Sequence, residues 1–153
     1  MKEYMQKAID KALEGVKEGE SPFGSCIVKD GKVIAVAHNT VLSKNDPTNH
    51  AEINAIRKAC RKLGHHDLSG CVLYSTTEPC PMCFAAIHWA KIQRIIFGTE
   101  IADVKNLGFS ELTISNDEMK KKGGATVEII GDFMRDECLE LLSSWKKGKG
   151  RIY

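Results

Sequence analysis

Two short motifs restrict the fold of this chain more than any other feature of its sequence. The first is His50-Ala51-Glu52, and the second is Pro79-Cys80-Pro81-Met82-Cys83. Each motif stands where an apolar segment with helical periodicity begins, and a short β-rich segment separates the two. Positions i and i+2 of a helix point to different sides, so His50 and Glu52 can serve one centre only if it lies beyond the helix N-terminus. The fold must therefore bring two helix N-termini to one point.

The residue types in these motifs predict a catalytic zinc site. A neutral imidazole and two thiolates are three of the four ligands that tetrahedral zinc prefers, and three protein ligands leave the fourth position open for water. We therefore predict that His50, Cys80 and Cys83 hold Zn²⁺. Zinc acidifies its bound water toward neutrality, and Glu52 is predicted to be the general base that takes the proton.

Each half of this site also has a simpler interpretation. A Cys-x-x-Cys pair alone is typical of a structural zinc knuckle or a redox pair. Glu52 alone suits the first turn of a helix, where it complements the helix dipole, and His50 alone suits a cap or the core. The two motifs together, in this order on two helix starts, favour a catalytic zinc site over a noncatalytic zinc-binding module.

The two motifs match in full the signature H-x-E followed by P-C-x-x-C, which is typical of zinc-dependent nucleobase deaminases. The chain therefore resembles the cytidine-deaminase-like superfamily, in the branch that holds guanine, cytosine and tRNA adenosine deaminases. The resemblance runs from Glu3 to the last residue. It implies a three-layer α/β/α sandwich with a central mixed five-stranded sheet, a homodimer, and hydrolytic deamination of a nucleobase.

The apolar patterning independently predicts one α/β domain over residues 1–153. Strands alternate with helices, which is typical of a sheet covered on both faces. The predicted strands are Ser25 to Lys29, Lys32 to His38, Cys71 to Thr76, Arg94 to Gly98 and Thr126 to Ile130. The predicted helices span 1–19, 50–63, 80–91, 116–122 and 134–145, and residues 41–47 are predicted to be a loop.

Composition limits the partners of the chain. Twenty-two Lys and Arg residues stand against 20 Asp and Glu, a net charge of +2. This positive net charge is small for a protein that binds nucleic acid, so nucleic acid is a possible but not favoured partner. No apolar run approaches the length of a membrane span, and the N-terminal segment does not resemble a signal peptide, so we expect a cytoplasmic protein without membrane contact.

The resemblance to bacterial guanine deaminases implies four further site residues. Asn39 stands where those enzymes hydrogen-bond the base, and Phe23 where an aromatic ring lines the pocket. Trp89 matches an aromatic position near the pocket. Glu111 stands where those enzymes carry an Asp that contacts the purine and takes part in proton transfer. The side chain of Glu111 is one methylene longer.

The C-terminal tail, residues 146–153, has two interpretations. Its Lys and Gly residues are typical of a disordered, solvated end. The guanine deaminases that the chain resembles also end in Tyr and use this segment to close the active site of a partner subunit. The resemblance therefore implies that Tyr153 is a lid residue and that the tail can swap onto a partner.

The reaction implied first is the conversion of free guanine to xanthine and ammonia. The main alternative is a tRNA-specific adenosine deaminase, because the segment from Asp136 to Ser144 resembles the closing helix of that subfamily and the tail is basic. Those enzymes usually have a smaller aliphatic residue at the position of Phe23. Cytosine and guanosine also remain as candidate substrates.

Overall fold

A five-stranded mixed sheet forms the centre of the molecule, for which a computed structural model describes all 153 residues. The strands are β1 (Gly24–Lys29), β2 (Lys32–His38), β3 (Cys71–Thr77), β4 (Arg94–Thr99) and β5 (Glu128–Ile130). Their order across the sheet is β2-β1-β3-β4-β5. Strand β1 runs antiparallel to β2 and to β3, whereas β3, β4 and β5 are parallel. The predicted five strands are all present, although β5 is shorter than expected.

Seven helices accompany the sheet. They are α1 (Lys2–Lys17), α2 (Val41–Lys44), α3 (Ala51–Leu63), α4 (Pro81–Trp89), α5 (Ile101–Leu107), α6 (Asn116–Gly123) and α7 (Arg135–Lys147). Helices α2 and α5 were not predicted. Helix α2 is a single turn in the segment expected to be a loop, and it is too short to show a helical period. Helix α5 has a local signal in the capping box that Glu100 and Asp103 form at its start.

The helices form one layer on each face of the sheet, so the three-layer sandwich is confirmed. Helices α1 and α7 cover one face, where Met5, Ile9 and Cys138 pack on Tyr74 and Ile96. The other face is covered by α3 and α4 and contains the larger cluster of buried apolar residues. Members of that cluster include Ile27, Ala55, Leu73, Phe84, Ile87, Ile95 and Phe97. None of the helices has the length and apolar character needed to cross a bilayer.

The tail folds back onto the protein, although most of its residues keep one side exposed. Gly150 lies directly on the indole of Trp145, where a Cβ atom would overlap the ring. Trp145 in turn packs against Phe109 with ring centroids 5.3 Å apart. These contacts direct the last residues back toward the ends of β3 and α4.

Gly98 in β4 provides a test of packing between the sheet and α7. A Cβ atom on Gly98 would lie 2.7 Å from the Cβ of Cys138 and 2.9 Å from the carbonyl oxygen of Thr76. Because the carbonyl belongs to the neighbouring strand and cannot move freely, we expect Gly98→Ala to lower the free energy of unfolding by about 2–3 kcal/mol. Urea denaturation measures this change.

Gly123, near the end of α6, is the matched control. A Cβ atom there would meet no heavy atom within 4 Å. Gly123→Ala should therefore leave stability unchanged or raise it by about 0.5–1 kcal/mol, because alanine is the better helix former. Equal stability for the two alanine variants would contradict the packing described at Gly98.

Candidate active site

The three predicted metal ligands converge at one point. The Nδ1 atom of His50 lies 3.6 Å from the Sγ atoms of both Cys80 and Cys83. All three ligand atoms lie within 4.8 Å of one another. Tetrahedral zinc, with Zn–N of about 2.0–2.1 Å and Zn–S of about 2.3 Å, separates nitrogen from sulfur by about 3.6 Å. The ligand spacing therefore fits zinc.

Two helix caps produce this convergence. His50 is the N-cap of α3 and Cys80 the N-cap of α4, and both have extended backbone angles. Neither side chain caps its own helix, so both point beyond the helix end toward the common centre. Pro81 occupies the first turn of α4, where its missing N–H has no intrahelical role.

The two thiols differ in acidity. Their mutual hydrogen bond lowers the pKa of Cys80 to about 4 and raises that of Cys83 well above its usual value. Both sulfurs bind a metal as thiolates, so metal binding at this pair releases protons.

Glu52 lies beside the ligands and is 7% exposed. Its Oε1 accepts a hydrogen bond from the hydroxyl of Ser75 at 3.1 Å, and its Oε2 lies 3.6 Å from the Sγ of Cys83. Burial raises the pKa of Glu52. A carboxylate with a raised pKa next to an open metal position can accept a proton and release it again.

A small cavity of about 20 Å³ opens from the ligands. It is lined by Phe23, Asn39, His50, Glu52, Thr77, Glu78, Cys80, Glu111 and Tyr153. Four of the five predicted substrate residues therefore reach the same cavity as the ligands.

The orientation of the Asn39 amide is fixed by its partners. Asn39 is completely buried, and its Oδ1 accepts a hydrogen bond from the backbone N–H of Val41 at 3.0 Å. Its Nδ2 donates to the hydroxyl of Tyr153 at 2.8 Å. The amide therefore turns its Nδ2 group, one hydrogen of which is taken by Tyr153, toward the cavity.

Tyr153 closes the mouth of the cavity. Its hydroxyl also lies 3.4 Å from Nε2 of His50, and its ring packs edge-on against Phe109 with centroids 5.6 Å apart. Burial raises the pKa of Tyr153, so its hydroxyl is protonated at neutral pH. The tail of a single chain thus covers that chain's own cavity, and the predicted swap onto a partner stays a prediction.

Glu111 faces the cavity on a loop between α5 and α6. Burial, together with the charge of Cys80, raises the pKa of Glu111 to about 7. Glu111 is one of the residues that line the cavity.

Trp89 lies outside the cavity of a single chain. Its side chain is 79% exposed at the last residue of α4. Cys80 caps the opposite end of that helix, and at 1.5 Å per residue the nine residues of α4 separate the two ends by about 13 Å. The expectation that Trp89 lies near the pocket is therefore not met within one chain.

Sequence reasoning missed two residues of the cavity wall, Thr77 and Glu78. The carboxylate of Glu78 accepts hydrogen bonds from the backbone N–H groups of Ile101 at 3.2 Å and Asn116 at 2.7 Å. It thereby ties the starts of α5 and α6 to the segment that carries Cys80. The only sequence signal was an acidic residue directly before Pro79-Cys80.

Comparisons with known proteins agree with this geometry. The family model described as the cytidine and deoxycytidylate deaminase zinc-binding region matches residues 1–99. The guanine deaminase of Bacillus subtilis is 47% identical over 71% of this chain and 70% of its own length. A tRNA-specific adenosine deaminase of Buchnera aphidicola is 36% identical over 95% of this chain and 93% of its own. A solved guanine deaminase of Nitrosomonas europaea superposes with a TM-score of 0.87 at 26% identity, covering 94% of this chain and 83% of that one.

Proposed function

The chain belongs to the family of cytidine and deoxycytidylate deaminases, and from this premise we propose that it converts free guanine to xanthine and ammonia. Membership of this family makes it a zinc-binding hydrolytic deaminase, and His50, Cys80 and Cys83 are the residues positioned to hold the ion. We choose a free base as the substrate because Tyr153 lies over the cavity.

Zinc lowers the pKa of a water molecule that it binds to near 7 and makes that water a nucleophile at neutral pH. Glu52 takes the proton of the attacking water and delivers it to a ring nitrogen of the base. It then takes the proton of the hydroxyl group that has been added to the carbon and passes it to the departing amine, so that the C–N bond breaks, the C=O bond forms and ammonia leaves. The buried position of Glu52 beside Cys83 supports this double role.

The closed mouth supports a small, planar substrate. Because Asn39 donates to the hydroxyl of Tyr153, the tail and the base-binding amide form one wall. A small base can reach the ligands after a limited displacement of Tyr153, whereas a polynucleotide needs the whole tail to move away. Phe23 offers an aromatic surface to the base, and Glu111 offers a carboxyl group whose pKa burial raises to about 7.

A tRNA-specific adenosine deaminase is the second candidate. The similarity to the enzyme of Buchnera aphidicola extends over 95% of this chain, whereas that to the guanine deaminase of Bacillus subtilis extends over 71%. Two observations argue against an RNA substrate. The net charge is only +2, and the tail lies over the cavity.

We also propose a cytoplasmic homodimer. Trp89 is 79% exposed and Leu112 is 66% exposed, so apolar surface is available to a second copy. All six cysteines are free thiols, which is typical of a reducing compartment. The exchange of the tail between subunits remains part of this proposal.

Ammonia release from a panel of substrates tests the function. Zinc-loaded protein is incubated with guanine, guanosine, cytosine, adenine and an anticodon stem-loop. We expect kcat/KM for guanine to exceed that for every other member by at least about 10²-fold, the discrimination that unpaired polar groups in a site can supply. Reaction of the stem-loop alone would replace the free-base proposal by the tRNA candidate, and no reaction of any member would contradict both.

A further inference from the structure

We propose that Thr77 is a specificity-determining residue that accepts a hydrogen bond from an N–H group of the bound base. This inference rests on the proposed deamination of a base in the cavity described above. It concerns a residue that is neither a metal ligand nor the proton carrier.

The position of Thr77 brings its side chain to the substrate. Thr77 is the last residue of β3, is 7% exposed, and lines the cavity. Ser75, two residues earlier, donates its hydroxyl proton to Glu52. Residues i and i+2 of a strand point to the same face, so the hydroxyl of Thr77 lies on the face that carries the catalytic carboxylate.

A chain of hydroxyl groups fixes the direction of the Thr77 hydrogen bond. The Oγ1 atoms of Thr77 and Thr99 lie 2.9 Å apart, and the Oγ1 of Thr99 lies 3.2 Å from the carbonyl oxygen of Thr76. A carbonyl can only accept, and a hydroxyl has a single proton. Both contacts are hydrogen bonds only if Thr99 donates to Thr76 and Thr77 donates to Thr99.

Thr77 therefore offers the cavity a lone pair and no proton. Thr99 is completely buried, so no water competes for the proton that it receives from Thr77. The remaining acceptor capacity of the Thr77 hydroxyl has no partner within the protein. A substrate N–H satisfies it, whereas a substrate lone pair at this point would face another lone pair.

Asn39 supplies the opposite polarity. Because its Oδ1 is committed to the backbone N–H of Val41, Asn39 meets the base with a donor. The cavity thus selects a base that carries an acceptor for Asn39 and an N–H for Thr77. Guanine has both kinds of group, since its ring N–H groups accompany a carbonyl oxygen and unprotonated ring nitrogens.

Three variants separate this role from a structural one. Thr77→Val removes the acceptor at nearly constant volume, and we expect it to raise KM for guanine about tenfold with little change in kcat. Thr77→Ser keeps the hydroxyl and should stay close to wild type. Thr99→Val breaks the same interstrand hydrogen bond but leaves Thr77 its lone pairs, so it should change KM by less than about threefold. An equal rise in KM for Thr77→Val and Thr99→Val would show a structural role and overturn the proposal.

Methylated substrates identify the N–H concerned. The affinities of 1-, 7- and 9-methylguanine for wild type and Thr77→Val are compared with those of guanine. We expect the effect of the Thr77→Val substitution to vanish for 1-methylguanine alone if Thr77 accepts the N1–H, or for both 7- and 9-methylguanine if it accepts the imidazole N–H, because methylation of either imidazole nitrogen removes that N–H. The same effect for all four bases would contradict the assignment.

Two further measurements distinguish a failure of this proposal from a failure of the proposed function. Turnover of guanine by the wild type reports on the proposed function alone; if another base is the substrate, the same variants are compared on that base with the same expectations. The zinc content of each variant shows that the metal site is intact. Thr77→Ala, which also lacks the acceptor, replaces Thr77→Val if the valine variant does not fold.

Discussion

Replacing Glu52 with glutamine is expected to lower the rate of ammonia release at least about 10³-fold, the upper range for loss of a general acid–base group. Glutamine has the shape of glutamate and its amide oxygen can still accept the hydrogen bond from Ser75. It cannot take a proton from water or return one to the leaving amine. The variant should therefore fold and bind zinc, yet fail in chemistry, which steady-state ammonia assays and elemental analysis measure together.

Glu140→Gln is the matched control, because Glu140 is an exposed residue of α7 far along the chain from both motifs. It removes the same charge and should leave kcat within about twofold of wild type, as surface substitutions away from special features generally do. If Glu52→Gln keeps zinc and retains a rate within tenfold of wild type, Glu52 is not the proton carrier.

The metal centre could be predicted from sequence because its members belong to two short motifs. His50 and Glu52 stand two residues apart, and Cys80 and Cys83 three apart, so their roles depend on local geometry at helix starts. The only long-range requirement is that the two helix starts meet. Strand β3 connects the two helices, and the two helix starts meet because α3 and α4 pack on the same face of the sheet.

The rest of the cavity depends on contacts that sequence patterns do not contain. The side chain of Thr77 is oriented by the register that pairs it with Thr99 in the parallel sheet. Tyr153 is held by Phe109 and by the fit of Gly150 on Trp145, although the composition of the tail is typical of disorder. Trp89 matches an aromatic position near the pocket of related enzymes, but within one chain it stands at the end of α4 that faces away from the metal ligands.

Loss of one metal ligand should abolish both zinc binding and turnover. In Cys83→Ala only His50 and Cys80 remain, and two ligands do not complete a zinc site. We expect zinc content to fall from about one ion per chain to less than about 0.1, and activity to fall below detection, because zinc must generate the nucleophile. Cys60→Ala is the control: Cys60 is a half-buried free thiol on α3, so its variant should retain zinc and activity.

Removing zinc from the wild-type protein with a chelator should reproduce the loss, and adding zinc back should restore turnover of the wild type but not of Cys83→Ala. The overall fold should persist in both, because the apolar clusters on the two faces of the sheet do not include the ligands His50 and Cys80. Far-UV circular dichroism separates this outcome from global unfolding. Full zinc content and normal turnover in Cys83→Ala would show that the ion is not held by the two helix starts, and the assignment of the cavity as a deaminase site would lose its basis.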